Sequence, residues 1–164
     1  MTRLTTASVA AARIAAVGLA ALPLASCGSK AQVHRRGRDA APGVDVSVAR
    51  TKLGRILVDG RGHTLYLFLV DRHGRSACFG GCARVWPPLT IAGRPRAGAG
   101  VNAAKLTTIS RGDDTRQLVY NGHPLYRLSA DARPGQTLGQ GFLGQWFVVS
   151  PAGKMIGRRG AKGY

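Results

Sequence analysis

The chain has 164 residues, and 24 lysines and arginines stand against 7 acidic residues, for a formal charge of +17. All seven acids are aspartate, so the Glu-based capping boxes and Glu-to-Lys pairs that support helical bundles are missing. Its 23 glycines are about twice the usual share and favour a turn-rich β-domain.

Residues 1–26 carry Arg3 and Arg13, an apolar run over 14–25, and small residues ahead of Cys27. A run of 12 residues, at about 1.5 Å each, cannot cross a hydrocarbon core of about 30 Å, so a signal peptide is expected rather than a span. Its end, "LASC", resembles the lipobox of bacterial lipoproteins, which implies a thioether-linked lipid on Cys27. Removing residues 1–26 leaves 22 basic and 7 acidic residues, a formal +15. Residues 27–43 are polar and basic without hydrophobic period and read as a flexible tether, with Lys30, Arg35, Arg36 and Arg38 close to the anchor. Basic residues beside an anionic surface contribute about 1 kcal/mol each. Export argues against nucleic acid as the partner. The expected partners are the membrane, through the lipid, and an anionic lipid or wall polymer.

Residues 44–156 read as one domain built on an internal repeat, with copies at about 53–74 and 114–135. "GHTLYLFLVD" begins at Gly62 and "GHPLYRLSAD" begins at Gly122, with Gly, His, Leu, Tyr and Asp in one register. Each copy reads as strand, Gly-containing turn and second strand, a β-hairpin pattern. Asn121-Gly122 is the clearer turn, because a two-residue hairpin loop needs positive φ. Strand alternation puts Leu65, Leu67 and Leu69 on one face and Tyr66, Phe68 and Val70 on the other, so the first motif strand is expected to be central. The second, with Leu125, Arg127 and Ser129 against Tyr126, Leu128 and Ala130, is expected to be half exposed.

Next come Cys78 and Cys82. With Cys27 lipidated they form an even pair in an oxidising compartment, and a disulfide between them is expected to fix the shape of "CFGGC". Residues 93–103 read as the loop joining the copies. "AAKLTTIS" is a short helix or a strand, and "GQWFVVSPAGKMI" is a strand, a turn and a return. The tail, 157–164, is basic through Arg158, Arg159 and Lys162.

His63 and Asp71 lie about 26 Å apart in an extended strand, too far for a pair within one copy. Antiparallel pairing of the copies would bring His63 to Asp131 and His123 to Asp71. The simpler expectation is that each His caps its turn, each Asp bonds backbone amides in "DRHG" or "DARPG", and Tyr66 and Tyr126 pack in the core with the hydroxyl at its edge.

Two Y-x4-D motifs after a lipobox, then "CFGGCARVWPP", then "GQGFLGQWFVVSPAGK" resemble the bacterial lipoprotein family described as the secreted repeat of unknown function. The resemblance covers about 53–154. It marks Tyr66, Asp71, Cys78, Cys82, Ala83, Trp86, Pro87, Pro88, Tyr126, Asp131 and Trp146, and it implies no activity. The second copy has no cysteine pair and no WPP. The fold expected is all-β and mainly antiparallel, two related hairpins packed as one pseudo-symmetric domain with a disulfide-closed loop.

Three function classes remain. The leading one is a non-catalytic envelope module in which Trp86 either offers a stacking face, with Arg84, Arg94 or Arg96 beside it, or plugs the core. A metal or redox alternative would use Cys78 and Cys82 for a soft ion such as Cu(I), with His73 or Met155. An enzyme is not expected: the histidines are His34, His63, His73 and His123, no Glu exists, and no G-x-S-x-G or H-E-x-x-H occurs. No cofactor is implied, and the oligomeric state cannot be read from the sequence.

Overall fold

A computed structural model describes residue 43 and residues 45–157. The signal peptide, Cys27, the rest of the 27–43 tether apart from residue 43, and the tail from Arg158 lie outside the described residues. The described part is built from short antiparallel strands with almost no helix. Strands β1 (Val46–Thr51) and β2 (Gly54–Asp59) form one hairpin, with Val46 opposite Asp59 and Thr51 opposite Gly54. After the motif strand β3 (Tyr66–Phe68), strands β4 (Leu106–Ser110) and β5 (Arg116–Tyr120) form the equivalent hairpin, with Leu106 opposite Tyr120 and Ser110 opposite Arg116. "AAKLTTIS" is therefore both alternatives in succession, a 3-10 turn at Ala103–Lys105 leading into β4.

The turn at Asn121-Gly122 has positive φ at both residues, 50° and 83°, and returns the chain into the two-residue strand His123–Pro124. The first copy solves the same turn differently. Asp59 Oδ1 accepts the amides of Arg61 (2.8 Å) and His63 (2.9 Å), so an aspartate caps "DGRG" where the sequence suggests the histidine.

The two motif strands meet at the centre. Tyr66 N donates to Tyr126 O (2.9 Å) and Tyr126 N to Tyr66 O (3.0 Å), so the tyrosines face each other across an approximate two-fold axis. On the outer side of Tyr66 runs the strand Trp146–Val148, with Tyr66 opposite Val148. On the outer side of Tyr126 runs Pro88. The same spacing of 60 residues relates Tyr66 to Tyr126 and Pro88 to Val148. The Pro-Pro pair gives no amide to this pairing, and the bonds on either side of Pro88 run from Arg127 N to Pro87 O (2.9 Å) and from Leu89 N to Leu125 O (2.9 Å).

The halves are also exchanged. Leu57 N donates to Val149 O (2.8 Å), Val149 N to Leu65 O (3.3 Å) and Leu65 N to Leu57 O (3.0 Å). In the other half Leu118 N donates to Leu89 O (2.8 Å), Leu89 N to Leu125 O (2.9 Å) and Leu125 N to Leu118 O (2.9 Å). The chain after Trp86 thus completes the second hairpin, and the chain after Trp146 completes the first. Neither copy closes its own backbone hydrogen bonds alone.

Two apolar clusters follow from the alternation of the motif strands. Leu57, Leu65, Leu67, Leu89, Leu118, Leu125 and Val149 belong to one. Tyr66, Tyr126, Trp86, Trp146, Ile56, Val58 and Val148 belong to the other. Each fully buried Leu or Val contributes about 1.5–3 kcal/mol, which makes these faces the main stabilising term. Leu69 and Val70 depart from the expected pattern, because the strand ends at Phe68 and both are partly exposed. The second motif strand is half exposed as its sequence suggests, with Leu125 and Tyr126 buried and Ser129 exposed.

Candidate functional site

Both repeated motifs resolve into crossed pairs. Tyr66 Oη donates to Asp131 Oδ2 (2.5 Å), and Tyr126 Oη donates to Asp71 Oδ2 (2.9 Å). The tyrosine of each copy meets the aspartate of the other, in the place that the alternative arrangement would have given to the histidines. His63 instead lies 3.5 Å from Asp59, which Arg127 also approaches at 3.4 Å. His123 sits in the short strand beside Tyr120, where burial pushes its pKa down. The second carboxylate oxygen of each aspartate accepts a backbone amide, Ala77 N for Asp71 (2.7 Å) and Leu138 N for Asp131 (3.0 Å). Those amides lie just beyond "DRHG" and "DARPG". The spacing of Y-x4-D thus lets one motif end a central strand and pin the following loop while holding the other copy's tyrosine.

Burial first, and then the neighbouring carboxylate, push the Tyr66 hydroxyl far above its ordinary range. Tyr126 is raised too, again chiefly by burial. Both phenols therefore stay protonated and act as donors. Burial raises the Asp71 carboxyl, against the Ala77 amide, the Tyr126 hydroxyl and the nearby Arg111 charge, which lower it.

The tryptophans complete the symmetric centre. Trp86 and Trp146 are 4% and 3% exposed and stack at 3.9 Å with planes 4° apart. Tyr66 meets Trp86 edge-on at 5.3 Å, and Tyr126 meets Trp146 edge-on at 5.2 Å. Trp86 is therefore a core plug, and it offers no stacking face. The two residues are 60 apart, as are the tyrosines and the aspartates. The mismatch of Pro87-Pro88 with Phe147-Val148 hides that equivalence of the tryptophans in the sequence.

One part of the centre has no counterpart in the other half. Arg111, 6% exposed, donates from Nη1 to Ser76 Oγ (2.9 Å) and Gln117 Oε1 (2.6 Å), and from Nη2 to Cys78 O (2.8 Å). Its guanidinium carbon lies 4.6 Å above the Phe79 ring. Ser76 Oγ also accepts Cys78 N (3.2 Å) and lies 2.8 Å from Tyr126 Oη. With Asp71 ionised and holding the Tyr126 proton, Ser76 turns its own hydroxyl to Tyr126. The donors then run in one direction, from Arg111 through Ser76 and Tyr126 to Asp71, and link a buried cation to a half-buried carboxylate. No motif in the sequence marked Arg111, Ser76 or Gln117. The only signal was that "SRGDD" keeps an arginine at the end of β4.

Cys78 and Cys82 are bonded to each other, with Cα atoms 5.3 Å apart, ahead of and within the short helix Gly81–Val85. A disulfide presents no thiolates to a soft metal. Among the described residues no three His, Cys or Asp side chains gather at ligand spacing.

Beside this network the surface opens into a cleft of about 460 Å³, lined by Val70, Arg72, His73, Arg75, Ser76 and Ala77. His73 and Gly74, both at positive φ (51° and 69°), turn the chain, and Arg75 N closes the turn on Arg72 O (2.8 Å). Arg72 is held by a bond from Nη1 to Leu69 O (2.5 Å). The lining is therefore basic through Arg72 and Arg75, and its Ser76-Ala77 segment is held by Arg111 and Asp71.

No helix among the described residues is long and apolar enough to cross a membrane. No curated protein and no solved structure matches the chain. A family model matches twice, over residues 47–90 and 107–150, which is more than half of the chain and includes the first strand and the exchanged segment of each copy. On that match the chain belongs to the family described as the secreted repeat of unknown function.

Proposed function

We propose that the protein is a non-catalytic binding module, held on the extracytoplasmic face of a membrane by a lipid on Cys27, whose cleft at residues 70–77 takes an anionic group of a lipid or wall polymer. The observation that carries the ligand reading is the pair of arginines, Arg72 and Arg75, that line the cleft beside Ser76, which Arg111 holds in place. Charged clefts of one sign concentrate counter-ions and steer anionic ligands inward. A binding role fits the site better than catalysis because its reactive groups are occupied. Asp71, Tyr126 and Ser76 hold one another, Asp131 holds Tyr66, and the cysteines are bonded together. A general base or nucleophile needs a lone pair or proton free for the substrate, and the hydrogen bonds that these groups make to one another oppose that role.

Titration of the exported chain with poly(glycerol phosphate) tests the ligand. The native protein is expected to bind with a salt-sensitive affinity, and an Arg72→Ser, Arg75→Ser variant is expected to lose that binding at an unchanged melting temperature. Undiminished binding by the variant contradicts the cleft assignment. The anchor is tested separately by the mass of the processed N-terminal peptide, which should carry a diacylglyceryl group on Cys27.

A further inference from the structure

We infer that the loop at residues 141–145 seats this face of the protein on an anionic bilayer, with Leu143 as the inserted tip. Leu143 is 77% exposed and sits at φ 51°, in the left-handed region that L side chains other than Asn and Asp rarely occupy. Phe142 beside it and Leu138 before it are also exposed. Strain at an exposed apolar residue is retained where something other than folding requires it.

The repeat supplies its own control. Trp146 N bonds to Phe142 O (3.2 Å) as Trp86 N bonds to Cys82 O (2.8 Å), and Phe142 N bonds to Gly139 O as Cys82 N bonds to Phe79 O. Phe142 and Leu143 therefore occupy the positions of Cys82 and Ala83. Phe142 packs its ring against Trp86 at 5.8 Å, whereas the other half closes this turn with Ala83 at the position of Leu143, so the fold does not require a large apolar residue at the tip.

The occupant follows from what surrounds the tip. Leu69 N donates to Gln145 O (2.9 Å), which joins the loop to the end of the strand Tyr66–Phe68 and its partly exposed Leu69 and Val70. Arg72, His73 and Arg75 follow at once along the chain and line the cleft. Exposed apolar residues joined to a segment that carries Arg72 and Arg75 match a surface with hydrocarbon inside and anionic headgroups outside. The inference rests on the reading of the cleft as an anion site for these arginines alone. The strained tip stands without it.

The test uses the full chain carrying Cys27→Ser, exported and processed, so that no lipid holds it. It is sedimented with vesicles of phosphatidylglycerol and phosphatidylethanolamine, and with vesicles of phosphatidylcholine. The parent is expected to bind the anionic vesicles, and Leu143→Asn, which suits the left-handed backbone and removes the apolar tip, is expected to bind roughly tenfold less with no loss of melting temperature. Equal binding of parent and variant, or no binding of the parent to anionic vesicles, overturns the inference. Poly(glycerol phosphate) titration of the Leu143→Asn chain separates the two readings. Retained polymer binding places the loss at the bilayer contact, loss of both overturns the loop assignment, and a parent that binds polymer but not vesicles leaves the cleft reading standing alone.

Discussion

Replacing Tyr66 with Phe isolates the crossed pair, because the ring stays in place against Trp86 and only the hydroxyl is lost. That hydroxyl donates to Asp131 Oδ2 (2.5 Å) and accepts the amide of Gly139 (3.3 Å). Asp131 is buried, so its carboxylate keeps only the Leu138 amide, and Gly139 N loses its partner. A hydrogen bond to a charged group contributes about 1.5–3 kcal/mol, and a stranded buried amide costs about 1–3 kcal/mol. We expect a loss of about 3 kcal/mol, or roughly 12 °C in melting temperature at about 4 °C per kcal/mol for a domain of this size. Tyr126→Phe should cost less, because Asp71 is partly exposed and keeps the Ala77 amide with Arg111 nearby. Urea unfolding of Tyr66→Phe, Asp131→Asn and the double variant gives the coupling energy directly. A coupling below about 0.5 kcal/mol, on the scale of contacts that do not interact, would refute the reasoning, as would a larger loss from Tyr126→Phe than from Tyr66→Phe.

Asp71 gives a prediction in pH. Its folded pKa is raised above the unfolded value, chiefly by burial, so the stability it contributes is complete below the ordinary value of 3.8 and is lost as pH rises through the folded pKa. The difference in unfolding free energy between the native chain and Asp71→Asn should therefore decline as pH rises from 3.8, and a difference that grows with pH contradicts it. A methyl group on Gly139 would sit 2.5 Å from Trp86 Cη2 and 2.9 Å from Tyr66 Cε1. Gly139→Ala should cost about 1–3 kcal/mol by overpacking, seen as a lower urea midpoint, and an unchanged midpoint would mean that the Trp86 stack yields. Opening the disulfide with Cys78→Ser, Cys82→Ser should cost only about 2 kcal/mol for so short a loop and leave a cooperative transition. Loss of the fold would show that Arg111 depends on the bridge for its bond to Cys78 O.

The sequence carried the repeat, the Asn121-Gly122 turn, the cysteine pair and the central place of the first motif strand, because each is a local pattern of residue type and period. It did not carry the strands Val46–Thr51 and Leu106–Ser110 as parts of the copies, since their residues are largely half-buried and no glycine motif punctuates them. It did not carry the exchange of the segments after Trp86 and Trp146, because exchange leaves the composition of each copy unchanged. The aspartates do bond backbone amides, at Ala77 and Leu138 just beyond the expected turns, but the crossed tyrosines as their second partners were not foreseen. Antiparallel pairing of the copies was the right geometry, but the register puts Tyr66 against Tyr126, and the phenols rather than the imidazoles reach across. Arg111 was hidden among 24 basic residues, and only its burial distinguishes it from solvated charge.

Splitting the chain within the 93–103 loop tests the interlocked repeat most directly. Each half retains a hairpin and a motif strand but lacks the segment that closes it, since Val149 completes Leu57 and Leu65 while Leu89 completes Leu118 and Leu125. Circular dichroism and amide spectra of the separate halves should show unfolded chains, and mixing them in equal amounts should restore the dispersed spectrum of the whole. A half that folds cooperatively by itself would contradict the account.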